Sequence, residues 1–290
     1  MDVVIERCAG LDVHRDTVVA TVRRPGPGGA RRSETRTFTT MTGQLEALAV
    51  WLTAEKVMLA GMESTGIYWK PVYYVLEDML PVWVINAEHL RNVPGRKTDV
   101  ADSMWIAQLI EHGLVSPSFV PPRNVRLLRD VTRHGRRLTE ERTRAIQRLE
   151  KVLQDAGIKL TSVASTILGK TGRAILAALL AGEEDPAVLA ELAKGRLRPK
   201  IPVLREALTH RFRLEHHGVL IAQMLAHIDF LESSIVEIDQ RVEVLLRPVT
   251  DLVELVMTIP GVGRRVAEVL IAEAGRRGAL LRRAPLRACR

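Results

Sequence analysis

Cysteine is nearly absent: two residues in 290, Cys8 and Cys289, at opposite ends. With no C-x-x-C pair, neither a disulfide framework nor a thiolate zinc site is signalled. Aromatics make up only 4 % of the chain. No uninterrupted apolar run reaches the roughly 18 residues a membrane-spanning helix needs. The N-terminus lacks a basic leader followed by an apolar stretch. These absences predict a cytoplasmic protein with no membrane partner. Acids are also outnumbered, 34 Asp and Glu against 42 Lys and Arg, for a formal charge of +8. A basic balance of this size points to an anionic partner, nucleic acid first. Apolar residues form 47 % of the chain, enough for a sizeable core.

Up to about residue 122 the pattern is α/β. Short β-branched runs, VVATV (18–22), TRTFTT (35–40), VMLAGM (57–62) and PVWVI (81–85), alternate with helical stretches at 42–55 and 68–79. Such alternation predicts a layered sheet. GPGGA (26–30) reads as a hairpin tip, and SPSFVPP (116–122) as the exit from the domain. Residues 123–248 read as helix. Ile221, Met224, Ile228, Leu231, Ile235, Ile238, Val242 and Leu245 alternate spacings of three and four, the seam of a coiled coil. Its partner is either residues 123–155 in the same chain or a second copy. Ten Lys or Arg lie between 123 and 151, with few matching acids, and suggest a nucleic-acid track. Residues 249–290 open with a helix, a Pro-Gly-Val-Gly turn and a second helix, a helix-hairpin-helix pattern in which Arg264 and Arg265 flank backbone N–H groups suited to a phosphate. The tail from 276 uses six residue types and fits no periodic template. LGKTGR (168–173) lacks the first glycine of a phosphate loop and is set aside.

The chemistry concentrates in four acids. Asp99 and Asp102 stand three apart behind a cationic loop holding Arg96 and Lys97. Asp12 and Glu63 stand at strand-like ends. A D-x-x-D pair alone fits a solvated helix face equally well. A strand-end acid, however, is partly shielded from water and costly unless a cation compensates it. If the four converge, a divalent cation removes their repulsion, and oxygen ligands without His or Cys select Mg²⁺ or Mn²⁺. Two such ions can clamp the attacking and leaving oxygens of a phosphoryl transfer, with Arg96 and Lys97 holding the phosphodiester beside them. Tyr68 and Trp69 read as core. His14 and His89 lie near the expected site without a defined role.

The segments GLDVHRDTVVATV, MESTGIYWKPVYYVLE, NAEHLRNVPGRKTDVADSMWIAQLIEHGLVSPSFVPP and TIPGVGRRVAEVLIAEAG together resemble the DEDD transposases of insertion-sequence family 110, over about residues 8–275. The resemblance implies a RuvC-like domain of the ribonuclease H class at residues 1–122, whose metal-binding acids match Asp12, Glu63, Asp99 and Asp102. It implies a helical coiled-coil region at 123–248 and a transposase C-terminal domain beginning at 249. It further implies DNA recombination and transposition directed by a structured guide RNA, in dimers or tetramers. The family also carries a C-terminal serine that attacks the DNA backbone. Here no Ser or Thr follows Thr258, so the expectation is a recombinase whose C-terminal domain is truncated and whose covalent half is missing. Two other readings stay open: a non-catalytic nucleic-acid-binding assembly protein, and a RuvC-like nuclease that cuts with metals alone.

Overall fold

The computed structural model describes residues 2–64, 66–86, 88 and 102–274. The chain forms two compact units, Met1–Val120 and Pro121–Arg290.

In the first unit six strands form one sheet: β1 (Cys8–Val13), β2 (Thr17–Pro25), β3 (Arg31–Thr39), β4 (Leu59–Glu63), β5 (Val82–Ile85) and β6 (Pro117–Ser118). Their spatial order is β3-β2-β1-β4-β5-β6. β1, β2 and β3 make an antiparallel meander, β4 and β5 continue parallel to β1, and β6 closes the edge antiparallel. A meander extended by parallel strands reached through helical crossovers is the topology of a ribonuclease H-like domain. The meander's first turn is tight, with the His14 N–H donating to the Thr17 carbonyl at 2.9 Å. Its second is the expected glycine turn, with Gly28 and Gly29 at positive φ.

Strand alternation sorts the two faces. Leu11, Val13, Ala60 and Met62 point to one side, where α1 (Thr42–Ala54) and α2 (Trp69–Leu76) cover them with Leu45, Leu48, Leu52, Val72 and Leu76. Cys8 and Leu59 point to the other side, onto Ile106, Ala107 and Ile110 of α3 (Asp102–Glu111). The fit of α3 to the sheet depends on glycine. A Cβ on Gly10 would fall 2.0 Å from the Ser103 carbonyl oxygen and 2.4 Å from the Ala107 nitrogen, both backbone atoms. Gly10→Ala therefore has to lift the helix off β1. We expect a cost of about 3 kcal/mol or more, at the upper end for overpacking, read as a drop in the urea midpoint. An unchanged midpoint would mean that helix and strand are not packed this closely.

Buried Glu111, at the C-terminus of α3, ties that helix to the meander. It pairs with Arg23 at 2.7 Å and with Arg31. Burial, reinforced by the neighbouring Glu111 carboxylate, pushes the Cys8 thiol up to about 12. Cys8 is thus a core residue and a poor nucleophile.

The second unit is helical. α4 (Arg123–Asp155) and α8 (Val219–Leu246) run antiparallel along each other: Gly135 meets Ile238, Arg142 pairs with Glu232, and Asp155 reaches His217. Between them in sequence lie α5 (Lys170–Leu180), α6 (Pro186–Glu191) and α7 (Ile201–Ala207). α6 starts cleanly, with the Asp185 carboxylate accepting from the Ala187 N–H and Pro186 in the first turn. All eight seam residues of α8 pack into the apolar clusters of this unit, against Leu128, Leu138, Ala145, Leu149 and Leu153 of α4 among others. The stretch Leu214–Met257 is long and apolar enough to cross a membrane by composition, but its apolar seam is spent on this packing. α9 (Thr250–Met257) and α10 (Arg264–Ala274) follow, joined by a turn with Gly261 at positive φ.

The basic stretch of α4 departs from expectation. It is not short of acids: Glu140 on the same helix supplies one, and the fold brings Glu232 and Glu273 from afar. Arg129 and Arg133 pair with Glu273, Arg136 and Arg144 with Glu140, and Arg142 with Glu232. Arg129 also donates to the Ala272 and Glu273 carbonyls, capping the end of α10. Much of this arginine face is therefore occupied within the unit.

Candidate active site

Three of the four sequence-selected acids lie within the described residues. Asp99 does not, nor do Arg96, Lys97, His89, Cys289 and the tail from 276.

Asp12 is the fifth residue of β1, two beyond Gly10, and so shares the face that α3 covers. Glu63 ends β4, two beyond Gly61, whose Cβ position meets the Ile110 side chain. It lies on the same face. The parallel register pairs Leu11 with Met62, so Asp12 and Glu63 occupy the next rung, on strands about 5 Å apart. Both are half-buried. Cys8 lies opposite Ala107 and Gly10 opposite Ser103. β1 therefore runs against the helix direction and carries Asp12 toward the start of α3, where Asp102 begins it. Buried Ser103 fixes that start: its hydroxyl bonds Thr21 Oγ1 at 2.8 Å, and Thr21 bonds Thr35 Oγ1 at 2.8 Å.

The three acids do not collapse into one tight knot. Among the described residues, the group of three potential ligands with ligating atoms within 4.8 Å of one another is Asp155, His216 and His217, in the helical unit. Chemistry argues against a metal there. Nδ1 of His217 accepts the Arg213 N–H at 3.0 Å, so the ring proton sits on Nε2, which faces Asp155 Oδ2 at 3.2 Å. Ligation through Nε2 needs the reverse, a donating Nδ1–H behind a bare Nε2, and Nδ1 is already taken by the Arg213 N–H. His217 instead satisfies a backbone donor ahead of α8. His210 does the same for the Phe212 N–H, at 3.1 Å. Burial lowers the His210 pKa, against a smaller opposing pull from Glu184. Because the folded pKa lies below the unfolded value of about 6.5, its contribution is complete above that pH and is lost as pH falls toward the folded pKa. We expect stability to decline below about pH 6.5, and His210→Gln to flatten that decline. An identical pH profile in the variant would contradict this.

Around Asp12 the donors are hard oxygens. Asp12 and Glu63 present carboxylates from strands at the carboxyl edge of β1 and β4, the usual binding edge of such sheets, and exposed Asp102 is the first residue of α3. That set fits Mg²⁺ or Mn²⁺. The Asp12 carboxylate is 23 % exposed, and His14 Nε2 lies 3.1 Å from its Oδ2. This contact gives His14 a definite place that sequence alone did not. Trp69 packs partly against the core as expected, whereas Tyr68 is 43 % exposed and is not core. Arg264 pairs with Glu268 at 3.2 Å and approaches Glu243, and Arg265 pairs with Asp239. Two cations follow the acids in the chain, Arg15 three residues after Asp12 and Lys70 seven after Glu63; both lie inside the segments GLDVHRDTVVATV and MESTGIYWKPVYYVLE, yet sequence reasoning assigned them no role.

A ribonuclease H-like domain with strand-end carboxylates on one face is the architecture of nucleic-acid-cleaving and recombining enzymes. The family model of the insertion-sequence 110 DEDD group, described as "Transposase", matches residues 9–158. The chain belongs to that transposase family. Two solved structures are similar over part of it. One is Thermus thermophilus RuvC, 13 % identical, covering 39 % of this chain and 99 % of that chain with a TM-score of 0.30. The other is T. thermophilus RuvC in complex with Holliday junction substrate, 13 % identical with the same coverages and a TM-score of 0.28. No curated protein matches.

Proposed function

We propose that the chain is a metal-dependent DNA transposase and recombinase of an insertion sequence, acting on DNA phosphodiesters under the direction of a structured guide RNA and working as a dimer or tetramer. Family membership supports the reaction class. The observation that carries the site is the register that brings Asp12 and Glu63 to one rung of adjacent strands, on the face covered by α3. With Asp99 and Asp102, these acids would hold Mg²⁺ or Mn²⁺. Bound there, the ions would lower the pKa of an attacking oxygen and offset charge on the leaving one. The protein's own task is to hold the carboxylates still: two are fixed by strand pairing and the third by the anchored start of α3. Arg96 and Lys97 are assigned to the scissile phosphodiester. Arg264 and Arg265 are assigned to nucleic-acid backbone, which they would grip only by exchanging Asp239, Glu243 and Glu268 for phosphate, a trade favoured at low salt.

The test is strand breakage in a plasmid carrying the chain's own flanking sequence, with RNA transcribed from that sequence. Breaks that need Mg²⁺ and vanish with a chelator support the proposal. Breaks that persist without divalent metal oppose it. DNA binding with no breakage under any condition favours the non-catalytic assembly reading.

A further inference from the structure

An edge crowded with carboxylates has to receive a polyanion. Metal ions answer for the acids and the phosphate being cut, but the phosphates on either side still need cations. Within the first unit's described residues, two cations, one Arg and one Lys, stand on elements that leave this edge. Arg15 is in the β1–β2 turn, three residues after Asp12, and Lys70 is in the first turn of α2, seven after Glu63.

The Arg15 turn is built rigidly. The His14 N–H closes it onto the Thr17 carbonyl at 2.9 Å. Thr40, from the end of β3, braces it twice: its hydroxyl donates to the Arg15 carbonyl at 2.9 Å, and its N–H to the Asp16 carbonyl at 3.1 Å. Yet the Arg15 side chain is 78 % exposed, and its contact is with Asp16, itself 80 % exposed, at 3.5 Å. Such a solvated pair is worth little and exchanges readily for a phosphate. A fixed backbone with an uncommitted guanidinium is the arrangement of a positioning residue. Three arginines of the sheet contrast with it: Arg23 and Arg31 are spent on Glu111, and Arg24 on Glu34 and Glu55.

We propose that Arg15, seconded by Lys70, grips the DNA phosphates flanking the one cut at Asp12 and Glu63, and so sets the path of the strand across the acidic edge. This rests on the function proposed above, and its test separates the two. In calcium, which permits binding without turnover, affinity of the full chain for a fluorescein-labelled four-way DNA junction is measured between about 50 and 200 mM salt. Arg15→Ala with Lys70→Ala should weaken binding about tenfold and flatten the slope of log affinity against log salt by about two, one per phosphate contact. Arg32→Ala, a single-charge control at the opposite end of β3, where Arg32 lies across from Arg24 in the strand register, should change neither. In the plasmid assay the double variant should raise KM and spare kcat. If the wild type cleaves and the double variant matches it in affinity, salt slope and KM, the inference fails while the proposed function stands. If the wild type neither binds nor cleaves, both fall.

Discussion

Asp12→Asn should abolish metal-dependent strand breakage while leaving the fold and DNA binding intact. The amide keeps the shape of the side chain but offers one neutral oxygen to a divalent ion in place of a charged carboxylate. Losing a ligand that bears on charge development in the transition state is worth several kcal/mol, or about three orders of magnitude in rate. Stability should not fall, because Asp12 and Glu63 repel each other across adjacent strands, and neutralising one relieves that. Thermal unfolding at or slightly above the wild-type temperature, with cleavage lost, is the expected pair of results. A variant that cleaves at the wild-type rate would remove Asp12 from the site.

Glu111→Ala should bring the largest loss of stability in the first unit. Glu111 is fully buried and receives Arg23 and Arg31, themselves 14 % and 20 % exposed. Removing the carboxylate leaves two guanidiniums largely shielded from water with no counter-charge. Breaking a buried pair in this way costs about 3–5 kcal/mol, enough to unfold a marginal domain. The Val4 and Ile5 N–H groups donate to the backbone carbonyl of the same residue, bonds that survive the substitution, so the loss is that of the Arg23 and Arg31 pairs, at the end of α3 remote from the acids. Glu111→Gln, which keeps the shape and some hydrogen bonding, should cost less. Equal stability of wild type and Glu111→Ala by urea denaturation would show that the cluster does not hold α3 to the meander.

The strands were legible where the physics of burial writes a local pattern. VVATV and VMLAGM announce β2 and β4 because each must cover apolar neighbours on one or both faces, and the acids at strand ends stand out because an acid there has to be explained. β3 was legible only in part. Its first half, RRSE, is polar on both faces because the strand lies at the sheet edge, so no alternation marks it. β6 is two residues long and exists only by pairing with β5. Long-range charge pairing left no local signal at all. Arg142 finds Glu232 ninety residues away, and Arg133 finds Glu273 at a separation of 140. A basic stretch that looks unpaired along the chain is substantially paired in space. The same holds for Glu111, an ordinary helix-end acid in sequence that two distant arginines make central. The Asp12–Glu63 neighbourhood was inferable as a conjunction, but the rung that joins them needed the register of β1 against β4.

The central claim is that Asp12 and Glu63 hold a divalent metal together. Crystals of the protein soaked in Mn²⁺ and measured at an energy where manganese scatters anomalously test it directly. The account predicts a peak between the Asp12 and Glu63 carboxylates, each oxygen about 2.2 Å from the ion, and none at Asp155, His216 and His217. A map with no peak at the strand ends, or with manganese only at the histidine pair, would contradict it.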